Sequence, residues 1–197
     1  MKSINIFCFG FGQVAKSFIK KLIIKKYNIT LTTTSRNKSS TENFKGINYK
    51  SYLFSSDKFD NKLLVKLKKA DHILVSIPPE KKEDLVIKNF SKIIKDSNAK
   101  WITYLSATSV YGDHKGAWVH ENSETKPTSF NGISRLKAEN SWLSLQMNKN
   151  LSIQIFRLSG IYSNEKNILV RLKLGTTKLI NKQDHYFSRI HVEDIAN

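Results

Sequence analysis

The stretch Ile4-Asn5-Ile6-Phe7-Cys8-Phe9-Gly10-Phe11-Gly12-Gln13-Val14-Ala15 decides the fold. Its first half is an apolar run with β-branched and aromatic side chains, stopped by Gly10, and reads as a buried strand over residues 4–9. Residues 13–26 then place Val14, Phe18 and Leu22 at helical spacing, with Lys16, Lys20, Lys21, Lys25 and Lys26 turned outward. Gly10, Gly12 and Ala15 fit the pattern G-x-G-x-x-A at this strand-to-helix junction. The first glycine permits the tight turn and the second lets the backbone approach a pyrophosphate. The small third residue lets helix pack on strand, and the helix start offers free N–H groups to the anion. Gly10, Phe11, Gly12, Gln13 and Val14 are therefore candidate pyrophosphate contacts. The competing reading is a glycine turn that holds no ligand.

Working outward, strand and helix signals alternate. Residues 29–34 are mostly β-branched and predict a second strand, and 47–53 predict a third. Residues 61–69 space Leu63, Leu64 and Leu67 helically. Residues 72–77 form an apolar core strand ended by Pro78-Pro79, which cannot continue a ladder. A helix over 82–96 turns Leu85, Val86, Phe90, Ile93 and Ile94 inward. A strand over 101–105, a helix over 130–147 and a strand over 151–158 complete the order. Strands separated by helical stretches imply right-handed β-α-β crossovers. The fold expected is α/β, a Rossmann-type doubly wound parallel sheet with helices on both faces, over one domain spanning 1–197.

The residue after the second strand selects the cofactor. A fold of this kind that takes NAD usually has Asp or Glu there, bonding the ribose hydroxyls. No acidic residue precedes Glu42, and Ser35-Arg36-Asn37-Lys38 stands in that place. Arg36 can stack on adenine and pair bidentately with a 2′-phosphate, with Ser35 and Lys38 adding donors. NADP is expected over NAD; the plain alternative is that Arg36 and Lys38 are surface charge.

Composition narrows the classes further. The single cysteine, Cys8, among 197 residues excludes a disulfide scaffold and a multi-cysteine zinc site and suits a reducing compartment. No apolar run reaches the roughly 18 residues of a membrane span, so a soluble, cytoplasmic protein is expected. The net charge of +17 comes from 33 basic and 16 acidic residues. It raises a polyanion-binding role, since Lys and Arg release counterions from phosphates. The basic residues are spread as a coating rather than gathered in an arm or cluster, and most are Lys rather than Arg. A nucleic-acid partner is therefore not expected.

Four further segments carry a family resemblance. Tyr104-Leu105-Ser106-Ala107-Thr108-Ser109-Val110-Tyr111-Gly112-Asp113 resembles a strand signature of extended short-chain dehydrogenases/reductases, the NAD-dependent epimerase/dehydratase group. Asn131-Gly132-Ile133-Ser134-Arg135-Leu136-Lys137-Ala138-Glu139 resembles their Y-G-x-S-K-x-x-x-E helix. Arg157-Leu158-Ser159-Gly160-Ile161-Tyr162 resembles R-x-x-G-I/V-Y-G, and Arg189-Ile190-His191-Val192-Glu193-Asp194-Ile195-Ala196 resembles R-x-H-V-x-D-I/L-A. The resemblance implies a nicotinamide dinucleotide cofactor and a sugar-like substrate. It also implies that Ile77, Pro78, Ser106 and Arg135 join the cofactor contacts, and that a homodimer could form through the helices at 82–96 and 130–147. Their apolar residues could equally be buried within one chain. Family members continue past the last segment into helices that complete a substrate lobe, so an incomplete lobe and a C-terminally truncated chain are expected at Asn197.

The family's chemistry uses Ser or Thr, Tyr and Lys. The aligned positions hold Ala107, Asn131 and Arg135. Alanine has no donor, Asn has no proton that titrates near neutral pH, and Arg stays charged. Such losses resemble the family's atypical branch, and the stretch from Val110 to Val119 resembles its sugar-epimerase-like members. Replacement acid or base groups are sought in Tyr111 and Thr108, and then in Ser109, His114 and His120; Tyr111 in its motif otherwise lines the pocket, and the histidines otherwise lie at the surface. His185 and His191 lack partners at metal-ligand spacing, and no metal site is expected. Three readings stay open: an NADP-dependent oxidoreductase or epimerase-like enzyme, a catalytically silent NADP-binding sensor or regulator, and a polyanion-binding protein.

Overall fold

Strand β1 (Ile4–Phe9) sends alternate side chains to opposite faces, and each face meets its own core. Phe7 and Phe9 join one cluster with Phe90 and Trp142, and Ile6 and Cys8 join the other with Val14, Ala15 and Ile19. Burial pushes the Cys8 thiol up to about 12, which leaves it a small hydrophobe rather than a nucleophile. The computed structural model describes residues 3–56, 58–80, 83–147, 151–177 and 186–197.

Helix α1 (Gln13–Ile24) follows β1, and then come β2 (Ile29–Ser35), β3 (Ser40–Phe44), β4 (Ile47–Ser55), β5 (Lys58–Phe59) and α2 (Lys62–Lys68). The chain continues through β6 (His72–Val75), α3 (Leu85–Lys95) and β7 (Trp101–Ala107) into a 3₁₀ turn at Thr108–Val110. Helix α4 (Phe130–Met147), β8 (Ile153–Leu158), β9 (Gly160–Tyr162), α5 (Ile168–Lys173), β10 (Arg189–His191) and α6 (Val192–Ile195) complete it. Among the described residues an eight-stranded sheet runs β3-β4-β2-β1-β6-β7-β8, with β5 antiparallel to β4. From β4 to β8 the main strands are parallel and their order reverses between β1 and β6. This is a Rossmann-type doubly wound sheet, and ligands of such sheets lie outside the carboxyl ends of the strands at the reversal.

Helices α2, α3 and α4 cover the Phe7/Phe9 face, while α1 and α6 cover the Ile6/Cys8 face. The inward residues of α3, Leu85, Val86, Phe90 and Ile94, are all buried within this chain. Asp84 caps α3, its carboxylate accepting from the N–H groups of Val86 and Ile87 at 2.9 Å and from Trp142 Nε1 at 3.1 Å. That one side chain ties α3 to α4, and its burial raises its pKa. The helix expected over 82–96 thus begins at Leu85, behind this cap; Lys82 lies outside the described residues. No helix among the described residues is long and apolar enough to cross a membrane.

The sheet departs from the expected alternation in one place. No helix links β2 to β4; the antiparallel edge strand β3 makes the connection. Lys45 and Gly46 both take positive φ, 52° and 86°, the two-residue reversal that suits a right-twisted hairpin. The strand expected over 72–77 ends at Val75, since Ser76 and Ile77 already turn toward the prolines. The strand expected from Leu151 begins at Ile153.

Lysine is an unusual first residue for such a reversal, where Asn is favoured. Lys45→Asn should raise stability by about 0.5–1 kcal/mol. Urea unfolding checks this, and an unchanged or lowered midpoint would contradict the turn.

Candidate functional site

The carboxyl ends of β1 and β6 sit side by side, in register from Ile6 with His72 to Phe9 with Val75. Gly10 has φ +81°, and a Cβ there would lie 2.8 Å from Ile77 Cγ2 and 3.0 Å from Ser76 Oγ. Only glycine fits that turn. Its N–H donates to Thr34 Oγ1 at 2.9 Å, and Ser76 Oγ donates to the Phe9 carbonyl at 3.0 Å, so β2 and β6 hold the turn from both sides.

Gly12 is different: a Cβ there would meet nothing within 4 Å. Its role is to keep space free. Gly12 is the N-cap of α1, and no side chain caps that end. The first turn of α1 carries no acidic residue, so its orphan N–H groups face the open space beside Gly12. Gln13 Oε1, on the first residue of α1, is buried without a hydrogen-bond partner. Val14 is buried against the sheet and contributes its backbone rather than its side chain. Phe11 packs edge-on against Phe44 at 5.3 Å and against Tyr49 at 5.2 Å, so the β3–β4 hairpin braces the turn. The space, the free amides and the absence of acid fit a dinucleotide's pyrophosphate.

Ser35 ends β2, half-buried, and Arg36 follows it, exposed at the same edge of the sheet. Ile77 is half-buried and Pro78 exposed, at the end of β6 next to the glycine turn. These four residues and the turn share one crevice edge.

Ala107 ends β7, and α4, which carries Asn131 and Arg135, packs against that end. A Cβ on Gly132 would lie 2.4 Å from the Ser109 carbonyl and 2.8 Å from Pro127 Cβ, so α4 crosses the 3₁₀ turn at contact distance. Asn131, next to Gly132, is exposed, and Arg135, one turn on, is half-buried. Arg135 Nη1 donates to the Leu105 carbonyl at 2.8 Å. Ser134 is buried and donates within its own helix to the Phe130 carbonyl at 2.8 Å.

Ser106, expected among the cofactor contacts, turns its hydroxyl to α4. It is buried, and its Oγ donates to Glu139 Oε1 at 2.5 Å. Glu139 is itself 1% exposed and accepts a forked pair from Arg157: Nη2 to Oε2 at 2.8 Å, and Nε to both oxygens at 3.1–3.2 Å. Arg157 also lies over the Tyr111 ring, 4.9 Å from its centroid. Glu139, with Tyr111 as a second hydrogen-bond partner, holds the Arg157 pKa above its usual value. Tyr111 is accordingly buried, 6% exposed, under this guanidinium. Composition and spacing did not single out the pair; the available signal was one Glu on the buried face of α4 and one Arg in a strand whose other polar residue is Gln154.

His114 and His120 lie in the loop after the 3₁₀ turn. His114 Nε2 contacts the carbonyls of Tyr111 at 3.2 Å and Glu124 at 3.1 Å. Carbonyls only accept, so that nitrogen carries the proton and the ring is spent on holding the loop. His120 is exposed, and its Nδ1 accepts from the Asn122 N–H at 3.3 Å. His191 stacks edge-on with Tyr162 at 5.0 Å where β10 pairs β9, while α6 packs on α1 with Lys20 and Glu193 3.5 Å apart. His185 lies outside the described residues. Among the described residues no three His, Cys, Asp or Glu side chains group so as to hold a metal ion.

No protein-family model and no curated protein matches the chain. Solved structures do. One is a functionally unknown conserved protein from Silicibacter pomeroyi, at 30% identity and a TM-score of 0.78, covering 97% of this chain and 64% of that one. A UDP-N-acetylglucosamine 4-epimerase from Methanobrevibacter ruminantium, in complex with UDP-N-acetylmuramic acid, shares 18% identity at TM-score 0.74 over 100% of this chain and 71% of its own. A UDP-glucuronic acid 4-epimerase from Bacillus cereus, in complex with UDP-glucuronic acid and NAD, shares 15% at TM-score 0.76 over 97% and 70%. The chain has the fold of these epimerases and spans 64% of the length of the Silicibacter protein.

The close crossing gives a direct test. Gly132→Ala should cost about 1–3 kcal/mol, because the added carbon meets backbone rather than a movable side chain. Thermal unfolding reads this, and a variant as stable as the parent would show that α4 sits farther from the turn.

Proposed function

We propose that the chain binds a nicotinamide dinucleotide across the β1–β6 reversal, as a protein of the nucleotide-sugar epimerase/dehydratase type, with NADP preferred. The observation that carries this reading is the open, uncapped space at Gly12, placed where a doubly wound sheet takes its ligand. Gly10, Phe11, Gly12, Gln13 and Val14 hold the pyrophosphate, mainly through backbone N–H groups. Ile77 and Pro78 line the crevice alongside. When bound, the nicotinamide supplies a hydride donor and acceptor.

The choice of NADP rests on the end of β2. The Bacillus cereus epimerase holds NAD; this chain has Ser35 and an exposed Arg36 there, with no carboxylate before Glu42. A guanidinium matches a 2′-phosphate, whereas a carboxylate would repel it.

Arg135 reaches the Leu105 carbonyl, so it can hold a ribose or phosphate at the end of β7 but offers no base. Thr108, Ser109 and Tyr111 are the remaining hydroxyls at the turn, and the Ser106 hydroxyl is bonded to Glu139. The substrate would be a sugar nucleotide or a similar hydroxylated molecule. A specific observation also favours a second reading, a silent NADP-binding sensor. Ala107, Asn131 and Arg135 provide no titrating acid or base where the family's chemistry needs one.

NADPH should bind more tightly than NADH, and Arg36→Ala should remove most of a difference on the order of 1–3 kcal/mol. Gly12→Val should abolish binding of both while the far-UV circular dichroism stays unchanged. Calorimetry decides: equal affinities would remove the NADP assignment, and binding retained in Gly12→Val would move the nucleotide elsewhere.

Turnover is expected to be slight. The missing acid–base groups are typically worth about 10²–10⁴-fold. Robust NADPH consumption with a nucleotide sugar, lost in Tyr111→Phe, would overturn the silent reading and make Tyr111 the acid.

A further inference from the structure

One side chain joins four separate parts of the molecule. Arg157, near the end of β8, meets Glu139 on α4 through Nε and Nη2, lies over Tyr111 after the 3₁₀ turn, and donates from Nη1 to the Glu121 carbonyl at 3.2 Å. Ser106 on β7 shares the same carboxylate. The arginine side chain is 22% exposed and Glu139 is 1% exposed. A carboxylate so buried must be paired, and here both oxygens are used.

The orientation of the guanidinium is therefore set from below. Glu139 takes one edge of the fork, and the rest of the plane is left for the ring and for the Glu121 carbonyl. Glu121 lies within the loop 112–129 that leaves the carboxyl end of β7. Among the described residues its other hydrogen bonds include Lys126 N–H to the Tyr111 carbonyl at 3.2 Å, Ser123 N–H to the His120 carbonyl at 3.0 Å, and His114 to its two carbonyls, and the Tyr186 ring packs on Gly116. Trp118 in the same loop is fully exposed. The loop borders the substituted catalytic positions, since Gly132 and Pro127 pack where α4 crosses the turn.

We infer that Arg157 is a positioning residue for the substrate side of the crevice: clamped by Glu139, it fixes the Tyr111 ring and the loop at Glu121 in the arrangement that receives the sugar portion of a nucleotide sugar. Only the identity of that ligand rests on the function proposed above; the clamp on the loop stands on the contacts themselves. Lysine cannot replace this arginine. Its single ammonium would be claimed by Glu139, leaving the ring and the carbonyl without a partner.

The experiment compares the parent chain with Arg157→Lys and Arg157→Gln, using amide hydrogen exchange and calorimetry with NADPH and with UDP-glucose. In Arg157→Lys, exchange should quicken at least tenfold over 112–126 and stay unchanged over 4–24. NADPH affinity should stay within about twofold while UDP-glucose affinity falls at least tenfold. Arg157→Gln, which leaves Glu139 unpaired, should add a lower melting temperature. Exchange over 112–126 that is unchanged in both variants overturns the inference. A rise spread evenly over the whole chain also overturns it, because the pair would then be a general core contact. A parent chain that binds neither nucleotide refutes the functional reading, while the exchange pattern still decides the clamp.

Discussion

The molecule depends on one strand that is buried on both sides. Ile6 and Cys8 pack against α1, and Phe7 and Phe9 pack against α3, so β1 cannot shift by a residue without exchanging its two cores. That constraint fixes where Gly10 falls, and Gly10 must follow Phe9 directly because Ile77 and Ser76 leave no room for a Cβ. The start of α1 is then set, and with it the direction of its unpaired N–H groups. The open space beside Gly12 is in this sense a by-product of core packing.

A second constraint acts at the far end of β7. There Gly132 lets α4 approach the turn, and Ser134 is buried. The buried charge has been organised elsewhere, in the Ser106–Glu139–Arg157 group that supports Tyr111 from beneath. Such a network is costly to leave incomplete, since removing Arg157 would strand a carboxylate in the interior.

The sequence was most legible where patterns were extreme. The strand at 4–9 has the bounds its residues suggest, because an apolar run and a glycine stop leave few alternatives, and the helix spans 130–147 as expected. Strand β3, Ser-Thr-Glu-Asn-Phe, was invisible: it is an edge strand with mostly exposed side chains, and its pairing comes from the hairpin turn rather than from hydrophobic pattern. Asp84 as the cap of α3 could have been read from its place just before Leu85-Val86. Ser106 shows the other limit. The resemblance names it among cofactor contacts, but the partner of its hydroxyl comes from α4, and Glu139 lies 33 positions away.

The central claim, that the β1–β6 reversal holds a nicotinamide dinucleotide, is tested most directly by hydrogen exchange on the unmodified chain with and without saturating NADPH. The account predicts protection concentrated at residues 9–16 and 76–78, with a second patch at 34–37 from the 2′-phosphate. Absence of protection at residues 9–16, or protection confined to other surfaces, would contradict it.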